Sequence, residues 1–141
     1  MANRYLSLAI LLASQAAYPV LAQPRSSDRS SYREIEIEAF CQRYDIVASD
    51  LHAIATQLIE PSEFIEGRRR EILSIEYPRF DREHATIEYT RIGLPDDSVR
   101  SIHHRLDLQQ TPNGWEIEWV GAQYQCQRSS DPNLWTNQLC P

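Results

Sequence analysis

The chain has 141 residues, with 14 basic residues, every one an arginine, against 20 acidic ones, for a formal net charge of −6. That balance excludes a nucleic-acid binder, whose phosphate contacts demand a positive footprint, and argues equally against docking on an anionic membrane surface. Four glycines form no phosphate-cradling loop, and no serine sits in a nucleophile elbow.

The N-terminus reads as a cleavable export signal. Arg4 supplies a positive start, residues 5–17 are uncharged and mostly apolar, Pro19 breaks the segment, and Val20-Leu21-Ala22 offers the short side chains that signal peptidase accepts. The apolar stretch is shorter than the roughly 20 residues a membrane span needs. Residue 23 is Gln rather than Cys, so the mature form is expected to carry no lipid or other membrane anchor. Cleavage after Ala22 leaves about 119 residues, enough for one domain with a modest core. The expected address is the periplasm, or a related exported space such as a thylakoid lumen or the medium. Residues 23–31, rich in Ser, Arg and Pro, read as a disordered lead, and residues 32–141 as a single α+β domain.

Ile37, Phe40, Tyr44, Val47, Leu51, Ile54 and Leu58 alternate steps of three and four. This spacing predicts one long amphipathic helix over 37–58, widened by Ala48 and Ala55. Glu34, Glu36 and Glu38 suit its positive end, and Pro61 stops it. Residues 62–67 read as a short helical turn closed by Gly67. Arg68-Arg69-Arg70, flanked by Glu63, Glu66 and Glu71, read as a solvated, self-neutralised turn. The period then changes to two. Leu73, Ile75 and Tyr77 form a first run, Ala85, Ile87 and Tyr89 a second, and Ile102, His104, Leu106 and Leu108 a third. Trp115, Ile117 and Trp119 begin a fourth, and turn-forming residues separate all of them, which is the pattern of an antiparallel meander. In the fourth run the apolar phase moves from odd to even after Trp119, which predicts a bulge at Gly121. The expected architecture is therefore α+β, a long N-terminal helix packed on a curved antiparallel sheet of about four strands.

Cys41, Cys126 and Cys140 allow three pairings. The favoured one is Cys126–Cys140, which pins the C-terminal tail to a strand end and leaves Cys41 as a thiol beside the helix core. A loop of that span stabilises by roughly 3 kcal/mol on the loop-entropy account.

Among residues with chemistry, His103-His104 draws attention first. Neighbours on a strand face opposite ways, so the two cannot readily share a metal. His104 falls with Ile102 and Leu106, His103 with Ser101 and Arg105. The simplest expectation is one hydrogen-bonded interior histidine and one solvated one. The functional alternative places His104 in a pocket with Tyr89 and Trp119, as a general base or a ligand-orienting group. His52 and His84 are scattered, and no metal-ligand spacing occurs, so no metal or other cofactor is expected. Asp96-Asp97-Ser98 is ordinary turn chemistry rather than a calcium loop, and Glu116 and Glu118 read as the wet side of their strand.

The element order resembles the nuclear-transport-factor-2-like and cystatin-like folds. The C-terminal residues Gly114-Trp115, Trp119, Gly121, Cys126, Trp135 and Leu139-Cys140 resemble a group of small exported proteins of cyanobacteria and proteobacteria, in which a Gly-Trp strand ends at one cysteine and a Trp-containing loop runs to a second. That resemblance implies no activity. The leading expectation is a non-catalytic binding or accessory module of the cell envelope, taking a small ligand or an envelope protein as partner. The alternatives are a small cone-fold isomerase, dehydratase or hydrolase using His104, and an inhibitor of an envelope enzyme.

Overall fold

The computed structural model describes residues 28–59, 70–78 and 80–141. The expected export signal, the helical turn expected at 62–67, and Arg68-Arg69 lie outside the described residues. A 3-10 turn at Arg29–Ser31 leads into strand β1 (Arg33–Glu34), helix α1 (Ile37–Tyr44) and helix α2 (Leu51–Leu58). Strands β2 (Arg70–Glu76), β3 (His84–Ile92), β4 (Val99–Thr111) and β5 (Gly114–Cys126) follow. All five strands join one antiparallel sheet in the order β1-β5-β4-β3-β2. Among the described residues no helix is long and apolar enough to cross a membrane.

The single long helix expected over 37–58 does not form. Asp45 adopts a left-handed conformation, φ 50° and ψ 43°, and its N–H closes on the carbonyls of Cys41 and Gln42, ending α1. Asp50 starts α2 afresh, its carboxylate accepting the Ala53 N–H at 3.0 Å. Between them Val47, counted in the apolar stripe, is 82 % exposed. The connector is held by the Gln57 side-chain oxygen, which accepts from the N–H groups of Val47 and Ala48, both at 3.3 Å. Two helices whose separate stripes happen to keep a common repeat look in sequence like one. The capping residues, not the apolar spacing, mark the break. Two other expectations also change. The last residues of the stretch read as a disordered lead form the 3-10 turn, and β1 adds a fifth strand by pairing Arg33 with Ala122 and Glu34 with Gly121.

Strict alternation along β3 buries Ala85, Ile87 and Tyr89 on one face of the sheet. In register beside them stand Leu106 and Leu108 of β4, with Val120 of β5 opposite Leu106. Phe40 and Tyr44 of α1, and Leu51, Ile54, Ala55 and Leu58 of α2, complete this core. Each fully buried aliphatic side chain there contributes roughly 1.5–3 kcal/mol. The C-terminal tail returns as a bridge between Tyr124 and Thr136 and is fastened by the Cys126–Cys140 disulfide. Cys41 is a partly buried free thiol, its pKa raised by burial and by Glu36.

The bulge sits elsewhere than expected. Asp107 pairs with Trp119 while Leu108 pairs with Ile117, so Glu118 is the extra residue. Trp115 and Ile117 therefore lie on the helix-covered face, as do Val120 and Ala122, whereas Trp119 and Gly121 lie on the opposite one.

Replacing Asp50 by Ala removes the cap that begins α2 and is expected to destabilise the fold by about 1 kcal/mol. A denaturant midpoint unchanged from the parent chain would show that the helix start does not depend on it.

Candidate functional site

The alternation that builds the core also carries His104 into it. His104 pairs across the sheet with Tyr89 on one side and Ala122 on the other. The rings of Phe40 and Tyr44 stand edge-on to its imidazole at centroid distances of 5.3 and 5.7 Å. It is 3 % exposed, and its Nδ1 has no hydrogen-bond partner among the described residues. Burial, then the positive charges of Arg91 and Arg43, push its pKa down to about 3. A general base must reach the proton it abstracts. This imidazole is enclosed by core side chains and stays neutral, and Tyr89 beside it is fully buried. Trp119, expected in the same pocket, lies on the other face, and the bulge at Glu118 is the reason. The interior histidine is thus not the hydrogen-bonded one.

His103 is. On the face away from the helices its Nδ1 lies 2.7 Å from the Thr90 hydroxyl and its Nε2 lies 3.2 Å from the Tyr32 hydroxyl. Trp135 of the tail stands edge-on to the ring at 5.8 Å. Burial and Arg105 together lower its pKa. Two residues along β4, Arg105 donates from Nε to Asp107 at 2.8 Å, and Arg29 of the 3-10 turn donates to the other carboxylate oxygen, also at 2.8 Å. Thr86 adds a weaker bond to Asp107 at 3.3 Å. Glu88, half-buried alongside, has its pKa raised chiefly by burial and further by Glu76. Trp119 lies across Gly121, packs edge-to-face on Tyr32 at 5.8 Å and carries the Arg29 guanidinium 5.1 Å above its ring. A Cβ on Gly121 would collide with the Trp119 ring and with Tyr32 Cβ. The sequence contained a signal for this cluster. Thr86, Glu88, Thr90, His103, Arg105 and Asp107 all occupy the polar phase of their strands, and a purely solvated face has no need of so many mutually bonding types.

At the end of the sheet where β2 turns into β3, two clefts open. One, of about 400 Å³, is lined by Arg29, Glu76, Thr86, Arg105, Asp107 and Glu118 among others. The second, of about 1260 Å³, is lined by Phe80, Asp81, Gln110 and Trp115 among others. Tyr77, Pro78 and His84 border both. Tyr77 meets Trp115 edge-on at 6.3 Å, and Phe80 is fully exposed on a left-handed backbone, φ 66°. A bulky residue at positive φ is a conformational outlier. Asp81 holds the turn, accepting from the N–H of Glu83 at 2.8 Å and from His84 Nδ1 at 2.7 Å. These contacts keep its carboxyl below the usual range, the Glu83 N–H foremost.

The other singled-out residues behave as local structure. Asp96 accepts from the N–H groups of Ser98 and Val99 at 2.8 and 2.7 Å, closing its turn. Glu116 and Glu118 are exposed, the latter as the bulged residue. Among the described residues no group of three or more His, Cys, Asp and Glu side chains gathers to hold a metal ion. No protein-family model, curated protein or solved structure matches the chain.

Two outcomes follow from this geometry. The His104 pKa lies below its unfolded value near 6.5, so the unfolded chain binds the proton first. Stability is then fully present above about pH 6.5 and falls by up to about 1.4 kcal/mol per unit as pH drops toward 3. His104→Leu should flatten that part of the acid-unfolding profile, and an identical slope in both proteins would assign the acid lability elsewhere. Gly121→Ala should destabilise by about 1–3 kcal/mol through overpacking, read as a lowered melting temperature with a changed Trp119 fluorescence. An unaltered melt would mean that Trp119 does not rest on Gly121.

Proposed function

We propose that the protein is an exported, non-catalytic binding module of the cell envelope, and that its ligand site is the pair of clefts where β2 turns into β3. The observation that carries the reading is a division of labour between the centre of the sheet and its β2–β3 end. The ionisable group best suited to catalysis, His104, is enclosed in the core, while exposed aromatic and polar side chains converge on the clefts. Concave sites lined by aromatic groups with a few placed polar ones are the usual form of a ligand pocket. Export is supported by the N-terminal charge, apolar stretch and small residues before Gln23, and by a disulfide, which persists in oxidising compartments.

Native mass spectrometry of the full-length gene product, purified from its own host's envelope fraction without reductant, tests both halves. The expected species begins at Gln23, carries one disulfide and retains added mass that a Tyr77→Ala variant loses. A chain recovered from the cytoplasm with residues 1–22 intact overturns export. Added mass retained equally by Tyr77→Ala removes the clefts as the site.

A further inference from the structure

We infer that the larger cleft takes a neutral oligosaccharide, an inference that rests on the binding-module reading and gives it a ligand class. Three aromatic side chains border the cleft: Tyr77, half-exposed; Phe80, fully exposed; and Trp115, partly buried and edge-on to Tyr77. Large aromatic side chains gain by covering their faces. Phe80 instead stands in water, held there by a backbone conformation that a bulky residue seldom adopts. Its side chain is fully exposed, so nothing in the packing of the described residues uses it.

The polar groups around these rings decide what they receive. Asp81 is already engaged by His84 and by backbone N–H groups. Arg82 and Glu83 are of opposite sign and both exposed. Among the described residues the rim sets the Asp81 and Glu83 carboxylates against the Arg82 guanidinium and His84, a near balance, which disfavours an ionic ligand whose attraction would have to come from an unbalanced field. A wholly apolar ligand fits no better, because its binding would strip water from carboxylate, guanidinium and amide groups without replacing their hydrogen bonds. The Gln110 amide can both donate and accept, and the Trp115 indole donates. A pyranose ring matches this arrangement. Its C–H face is apolar enough to lie on an aromatic ring, and its equatorial hydroxyls reach outward to amide and carboxylate groups. An open cleft bounded by several rings suits a short chain of such units.

The test is a titration of the disulfide-bonded chain, followed through the Trp115 indole N–H resonance. Three neutral tetrasaccharides serve as probes, made of β-linked glucose, α-linked glucose and β-linked N-acetylglucosamine. At least one should shift that resonance saturably, with an affinity unchanged between about 50 and about 500 mM salt, since no ion pair is to be screened. Phe80→Ala removes only an exposed side chain, keeps the melting temperature, and should weaken binding about tenfold. The inference is overturned if none of the three moves the Trp115 signal. Spermidine and indole, titrated in parallel, separate the two levels of failure. A Trp115 shift with either, and with no sugar, leaves the cleft as a ligand site and removes the oligosaccharide. Silence toward all five removes the cleft itself.

Discussion

The pairing of β4 with β5 slips by one residue between Asp107 and Leu108, and this single shift settles the orientation of the whole second half of β5. A strand's side chains alternate with period two, so one extra residue exchanges the faces of everything beyond it. With Glu118 as the extra residue, Ile117 and Val120 both reach the helices and Trp119 is turned away from them. Without it, Trp119 would enter the core where Val120 sits, opposite Leu106, and that position accepts no indole without displacing the helices. The slip also brings Gly121 under the Trp119 ring, where any Cβ would collide. The opposite face of the sheet gains the Trp119 ring by the same event.

The two faces then follow different physics. The buried part of the helix face is apolar apart from His104, which is kept uncharged, and Arg91, whose guanidinium donates to the Tyr44 hydroxyl at 3.0 Å. The other face buries charge and satisfies it. Asp107 is approached by two arginines, one from its own strand and one from the N-terminal turn, both at 2.8 Å. Removing one partner of such a cluster costs far more than the cluster contributes relative to apolar packing. Its effect is specificity of arrangement. Arg29 and Tyr32 are held to the sheet by bonds to Asp107 and His103, Trp135 packs on the same histidine, and the disulfide fixes the tail. The turn at Arg29–Ser31 and the C-terminal tail are thereby fastened to one face by directional bonds, while the opposite face is held chiefly by apolar burial.

Much of this was legible in the residues and some was not. The four period-two runs mark β2 to β5 because each strand alternates apolar and polar side chains between its two faces, although only along β3 does burial alternate as strictly. Cys126–Cys140 was favoured because it joins a strand end to a tail. The long helix failed for a definite reason. Periodicity reports which side of a segment is apolar, and it is silent on whether the backbone is continuous. Asp45 and Ser49-Asp50 carried the break, as a left-handed closing residue and an N-cap, inside an apparently unbroken stripe. β1 has only two residues, too few for a pattern. The pocket grouping of His104, Tyr89 and Trp119 failed by one residue of register. His104 and Tyr89 are neighbours in the core, and Trp119 was moved across the sheet by a bulge that the phase change announced but did not locate. The sequence pattern leaves His103 solvated because its partners Tyr32, Thr90 and Trp135 come from three distant parts of the chain, and no local spacing reveals them.

The site suggested by the structure lies where the covering elements run out. Two eight-residue helices span about 12 Å each, less than half the length of the 13-residue strands β4 and β5. They bury the centre of one face and leave its β2–β3 end, where Tyr77 is half-exposed and Trp115 only partly covered. In the connector opened by the break at Asp45, the Ser49 carbonyl accepts the Trp115 backbone N–H at 2.7 Å. This bond anchors the backbone of Trp115, a residue that lines the larger cleft. The interruption that defeated the sequence expectation of one helix is thus also what fixes the aromatic edge of the proposed binding site.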